Sequence, residues 1–166
     1  NHGFSTAALF LSAGFLISRR GSKLIEDFGG VNKVAPVLSG VFLLSGLSSL
    51  ALPGMSSFVS EFMVLAGTFV RFPWVAAVAT TGIILAALYI LLMYQRTMTG
   101  EPSAEVSERM SELTLRERVG IAPVIAIIIA LGFFPQFVLN VVSPAVSHVL
   151  VEVSQQDPAP TIGVNP

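Results

Sequence analysis

The sequence predicts an all-α membrane protein, a polytopic helical bundle, on three observations. Hydrophobic residues make up 53% of the 166 positions and charged residues only 11%, where soluble domains carry about 25% charged residues. The few charges are clustered, leaving uncharged runs over 3–18, 34–60, 72–95 and 119–151. About 20 apolar residues rising 1.5 Å each cross a hydrocarbon core roughly 30 Å thick, and the later runs reach that length.

The first segment, about 1–18, is NHGFSTAALFLSAGFLIS, short for a crossing, and ends at the basic loop RRGSKLIEDFGGVNK over 19–33. The second, about 34–70, would be roughly 55 Å long as one straight helix, so it must be interrupted. Pro53 and Gly54 in LPG supply the break: proline removes a backbone donor and clashes with the preceding turn, and glycine accepts the irregular dihedrals that follow. The segment then reads either as a hairpin crossing twice or as one broken helix crossing once. Membrane proteins concentrate Lys and Arg on the cytoplasmic side. A single crossing places Arg19, Arg20, Lys23 and Lys33 on the same side as Arg96, Arg109, Arg116 and Arg118, eight against Arg71 alone, whereas a hairpin divides them five against four. The charge bias selects the single broken crossing, with loops 19–33 and 96–118 cytoplasmic and the C-terminus outside.

The third segment, about 74–95, has aromatic residues near both ends, where headgroups lie. In the polar loop that follows, Val106, Met110 and Leu113 at helical spacing predict a short surface helix, and Thr-Leu-Arg-Glu over Thr114–Glu117 predicts a capping box. It opens a fourth segment, about 119–134, stopped near Pro135. Residues 137–151 read as an interfacial amphipathic helix, so that 1–153 form the transmembrane region and 154–166 a polar tail. The sequence has no Cys, which leaves no thiolate metal site, iron–sulfur ligand or cysteine nucleophile within it. Its net charge of -1 gives no basic footprint for nucleic acid. No phosphate loop, dinucleotide fingerprint, metal-ligand cluster or nucleophile–base pair is present. The absence of a basic, apolar leader pattern predicts no signal peptide, and the chain reads as part of a longer polytopic protein.

Glu61 is the one acidic residue within the predicted spans. Carrying an ionised side chain to bilayer depth costs about 2.5–3.5 kcal/mol or more, so such a residue is expected to be functional and to have a partner; the competing reading is a structural hydrogen bond. Ser56 or Ser57 is expected to cap a second half-helix beginning near Phe58, placing Glu61 close to a helix N-terminus, as broken helices do at transporter midplanes. At 100° per residue Ser57 and Thr68 fall on the face of Glu61, forming either a polar path or a strip for small-residue packing. His2, followed by Ser5 and Thr6, is a second proton-handling candidate, because imidazole titrates near neutrality; it equally reads as a satisfied hydrogen-bonding group. His148 is expected to be structural. Ser45, Ser48 and Ser49 read as packing residues rather than the lining of a hydrated path, and Arg19, Arg20 and Lys23 as topology determinants ahead of a lipid-binding patch. No lysine lies within a span, so a basic partner for Glu61 must come from other helices.

NHGFSTAALFLSAGFL, the loop ending in FGGVNK, LPGMSSFVSEFMVLAG, LRERVGIAP and LGFFPQ together resemble the antiporter-like membrane subunits of respiratory complex I, the NADH-quinone oxidoreductase, and among them the chain-M type, counterpart of mitochondrial subunit 4. The resemblance covers about 1–153. It implies that the four segments are the last of fourteen transmembrane helices, the second being the discontinuous twelfth. It also implies that Glu61 matches an acid at the outward end of a proton channel, and that His2 matches a histidine on the central hydrophilic axis. Sibling chains L and N usually have lysine at the Glu61 position, which favours chain M. Ser60 departs from the glycine usual there but leaves the ionisable residue in place.

The expected function is therefore proton translocation in the cell inner (plasma) membrane, within a NADH-quinone oxidoreductase. No redox cofactor is expected in this chain, and flavin, iron–sulfur clusters and quinone belong to other subunits. The expected partners are the bilayer and other complex I membrane subunits, chiefly chains L and N. A cation/proton antiporter subunit and a structural membrane scaffold are the alternatives.

Overall fold

The computed structural model describes residues 1–152, so the predicted tail 154–166 lies outside the described residues. These form helices α1 (His2–Arg20), α2 (Val31–Val34), α3 (Pro36–Ser49), α4 (Ser56–Arg71), α5 (Pro73–Met98), α6 (Ala104–Arg109), α7 (Leu115–Phe133) and α8 (Gln136–Glu152), with a 3₁₀ turn at Ile25–Asp27 and no strand.

Each helix ends where the local chemistry requires. The C-cap of α1, Gly21, takes φ 74°, and its N–H closes onto the Ile17 carbonyl, the left-handed geometry that glycine adopts without a Cβ penalty. Pro36 and Pro73 occupy the first turns of α3 and α5, where a missing N–H costs nothing. Thr114 and Glu117 make the reciprocal capping box of α7. Between α3 and α4 the ladder gives way to irregular bonds, Leu52 N–H to Leu47 O and Met55 N–H to Leu52 O. Gly54 there takes φ 93° and Ala51 φ 57°, a left-handed conformation that strains a residue with a Cβ.

The break interrupts the helix without reversing it. Ser39 near the start of α3 bonds Tyr94 of α5 at 3.0 Å, and Gly46 lies against Ile90. Further along, Phe62 and Phe69 of α4 share a concavity with Ala76 and Ile83 of α5. Rising residue numbers in α3–α4 thus meet falling numbers in α5, so the two half-helices run in succession along one antiparallel neighbour. The break itself is seated on α7: a Cβ added at Gly132 would overlap the Gly54 carbonyl, so only glycine admits that approach.

Among the described helices, α5 alone is long and apolar enough to cross a bilayer by itself. α7 and α8 pass that test only as a pair bent by 69°, and α3 is a shorter apolar helix. The difference from the four apolar runs has physical causes. The break divides the second run, and charged residues occupy the last turn of α1 and the first turn of α7. Large apolar side chains line the outside of α5 and α8, a surface far more extended than soluble monomers expose.

The buried core gathers at the opposite end from Arg71, where Leu16, Val31, Leu38 and Met98 pack with Val106, Met110 and Leu113. Here the expected short helix forms as α6, but its surface placement is corrected. α6 ends at Arg109, and all three loop side chains are buried, because the loop folds inward as a plug over the helix ends. Gly30 (φ 67°) lies so close to Pro102 that a Cβ would overlap it, and its N–H bonds the Thr99 carbonyl at 2.9 Å.

Candidate functional site

Glu61 is the sixth residue of α4. The N-cap is Met55, without a side-chain capping bond, and Ser56 and Ser57 are already helical. The predicted serine cap is therefore corrected, as is the placement of Glu61 at the helix end: it stands in the second turn, beyond the first-turn range of the dipole's influence.

The Glu61 side chain is exposed and has no hydrogen bond or ion pair among the described residues. It lines an open cavity of about 530 Å³ shared with His2, Ser49, Ser60 and Tyr89, with Gly82, Ile83 and Ala86 of α5 forming an apolar wall. His2 and Glu61, 59 positions apart in the chain, thus open onto one space without forming an ion pair. Thr6 Oγ1 lies 3.3 Å from His2 Nε2, one helical turn away, which orients the imidazole. Asn1 Nδ2 donates to Ser60 Oγ at 3.4 Å and tethers the start of α1 beside α4.

Ser5 turns elsewhere. Its hydroxyl lies 2.6 Å from Ser48 Oγ and 2.8 Å from Ser57 Oγ, all three side chains being buried. This cluster ties α1, α3 and α4 together beside the break. Ser56 Oγ, also buried, has no partner among the described residues. The expected Ser57–Glu61–Thr68 face consequently divides. Ser57 is consumed by the serine cluster, and Thr68 bonds the Val64 carbonyl of its own helix at 2.7 Å and does not line the Glu61 cavity. Ser45 and Ser49 bond backward to Val41 and Ser45 carbonyls, yet Ser49 also lines the cavity. Tyr89 is a cavity residue that the sequence pattern does not mark. A phenol within an apolar span was its only signal, and its nearness to Glu61 depends on the packing of α5 on α4.

The opposite end holds two carboxylates in different circumstances. Arg19, nearly buried, makes a bidentate bond to Glu117 (3.0 and 2.6 Å) and donates to the Ser111, Phe15 and Glu112 carbonyls. The Arg19 guanidinium, helped by the Thr114 backbone and hydroxyl and opposed by partial burial, lowers the Glu117 carboxyl to about 2. Burial would raise Glu112, but N–H donors of Leu113, Val37 and Leu38 outweigh it, with the charge of Arg118 adding, and the net shift is downward. The Val37 and Leu38 donors belong to the first turn of α3, bonded at 2.7 and 3.0 Å. A loop residue 74 positions away therefore supplies the cap that no neighbour of α3 provides. Arg20–Glu105 and Lys33–Glu101 pairs join the same loops, so Arg19 and Arg20 serve as structural ties. His148 pairs with Glu152 at 3.6 Å on α8.

Residues 1–87 match a family profile described as NADH:quinone oxidoreductase/Mrp antiporter, TM. Among curated proteins, NADH-quinone oxidoreductase subunit M of Mycobacterium tuberculosis is 51% identical over 162 residues, covering 98% of this chain and 29% of that protein. The Rhodobacter capsulatus protein of the same name is 37% identical over 150 residues, covering 90% and 29%. A chain in the structure of respiratory complex I from Thermus thermophilus with bound NADH superimposes with a TM-score of 0.74 at 32% identity, covering 81% of this chain and 28% of that one. The chain thus spans under a third of the length of these relatives. With its profile match over more than half of the residues, it belongs to the NADH:quinone oxidoreductase/Mrp antiporter transmembrane family.

Proposed function

We propose that this chain is part of a proton-translocating membrane subunit of a NADH-quinone oxidoreductase, of the subunit M kind, and that Glu61 carries the proton. The observation that carries the proposal is an acid on a broken helix, without a side-chain partner among the described residues, open to the same cavity as an imidazole. A carboxylate committed to structure is held by donors, as Glu112 and Glu117 are. One that loads and releases protons needs access to a proton donor or acceptor, and Glu61 opens onto the cavity that His2 also lines. His2, oriented by Thr6, passes protons to or from Glu61 across the cavity. The partner that lowers the cost of the charged state is a basic residue of a preceding helix or of a neighbouring subunit.

In this reading α1, α3 with α4, α5 and α7 are four crossings and α8 lies at the membrane surface. Loops 19–33 and 96–118 face the cytoplasm, and the end of the chain lies outside. The support is the joining of the two loops by two ion pairs and the Gly30–Thr99 bond. Electron transfer through flavin, iron–sulfur clusters and quinone takes place in other subunits, and chains homologous to this one, of the L and N kinds, flank it. The test is Glu61→Gln in the intact complex, with proton pumping and NADH oxidation measured together. Both fall if the carboxyl carries the proton; unchanged pumping and turnover discard the proposal and favour a scaffold. The family description also covers Mrp antiporters, which favours cation/proton exchange as the second reading. Sodium-dependent transport by the purified complex without NADH would select it.

A further inference from the structure

Four of the eight Lys and Arg side chains at the basic end are committed. Arg19, Arg20 and Lys33 are paired with acids, and Arg118 donates to the Leu113 carbonyl. Lys23 and Arg96 have no side-chain hydrogen bond or ion pair among the described residues, and both line one cavity of about 660 Å³. Its other walls are Leu24, Ile25, Phe28 and a single acid, Glu26, so two positive charges face one negative. Leu24 is 63% exposed at its rim. Arg96 stands in the last turn of α5, and from it Leu92, Leu88 and Leu85 continue up one face at helical spacing, all exposed. The rise from Arg96 to Leu85 is about 16 Å, close to half the thickness of a hydrocarbon core. A cationic recess therefore stands at the foot of an apolar strip one leaflet long.

We propose that this recess binds the headgroup phosphate of an anionic phospholipid, with Lys23 and Arg96 as its ligands and an acyl chain lying along Leu92, Leu88 and Leu85. Arginine offers planar paired donors that suit phosphate oxygens, and lysine adds a mobile point charge. Basic residues just cytoplasmic of a span are placed to meet acidic headgroups. The proposal rests on α5 crossing the bilayer, as in the functional reading above, and is independent of the role of Glu61.

The intact complex is reconstituted into nanodiscs of phosphatidylcholine with a minority of phosphatidylglycerol, re-extracted in mild detergent, and its retained lipid measured by mass spectrometry. The unsubstituted complex retains phosphatidylglycerol selectively. Lys23→Gln with Arg96→Gln lowers that selectivity about thirtyfold, and Lys23→Gln alone, at an exposed residue that carries no fold contact, about fivefold. Arg109→Gln with Arg116→Gln removes equal charge outside the recess and leaves selectivity unchanged. Equal loss in that control, unchanged retention without Lys23 and Arg96, or full displacement of the lipid by millimolar inorganic phosphate overturns the proposal. So does a neighbouring protein chain found seated on the Leu85–Leu92 strip. Proton pumping is not the readout, so this test can fail without touching the assignment of Glu61.

Discussion

The two ends of this helical bundle treat the same functional group in opposite ways. At the loop end, Glu117 is gripped by Arg19 and the Thr114 cap, and Glu112 accepts three backbone N–H groups. Beside the helix break, Glu61 has no such partner among the described residues and faces a cavity. A carboxylate saturated with donors is held in its ionised form and serves as a joint, because protonating it would remove the charge that strengthens its bonds and displace donors from the protonated oxygen. One left without donors contributes nothing to the joint. The surroundings differ in parallel: the loop end buries a packed core, whereas the break end carries a strained Ala51 and a Ser56 hydroxyl with no partner among the described residues.

The contrast breaks most decisively at Glu61. Glu61→Ala in the intact complex is expected to lower proton pumping by about a hundredfold, the smaller end of what losing a proton-transferring side chain costs, with little change in thermal stability. Glu117→Ala should do the reverse, and exchanged outcomes would dissolve the distinction between the two ends. Next in size is Gly132→Val, which drives a side chain into the Gly54 carbonyl. A loss of about 3 kcal/mol is expected, read as a lowered thermal midpoint of the full-length subunit in detergent; an unaltered midpoint would show that α7 does not seat the break. Arg19→Ala removes the hub of the loop end and should cost about 2 kcal/mol by the same measurement.

Acid tests the joint as a whole. Glu117 has a folded-state value of about 2 against an ordinary 4.5, and Glu112 is also lowered. Depressed carboxyls stabilise the fold above their unfolded value, and that contribution is lost as pH falls from about 4.5 toward 2. Thermal melts from pH 6 down to pH 3 should show the decline, and Glu117→Gln should flatten it; an undiminished slope in that variant would place the acid sensitivity elsewhere. The smallest effect belongs to Ala51→Gly, which relieves the left-handed strain at the cost of extra freedom when unfolded and should stabilise by less than about 1 kcal/mol.

Local chemistry made the helix termini readable. The capping box at Thr114 and Glu117 needs only residues three apart, and Pro53 with Gly54 disrupts a helix wherever it is placed. Even so, Ser56 suits a cap by type and is helical instead, the N-cap being Met55, whose backbone lies against Gly132 of α7. Ser5 and Thr6, adjacent in sequence, went to different partners, since consecutive helical positions point about 100° apart: Ser5 into the buried hydroxyl cluster, Thr6 toward His2.

By itself the sequence determined the all-helical class, the break and the lone acid of the second predicted segment, all of which follow from residue type and spacing within one helix. Tertiary structure alone decided that His2 and Tyr89 share a cavity with Glu61, that Glu112 caps a helix 74 positions away, and that Val106, Met110 and Leu113 are buried. Those outcomes depend on which helix faces meet, and periodicity describes a face without naming what it will pack against.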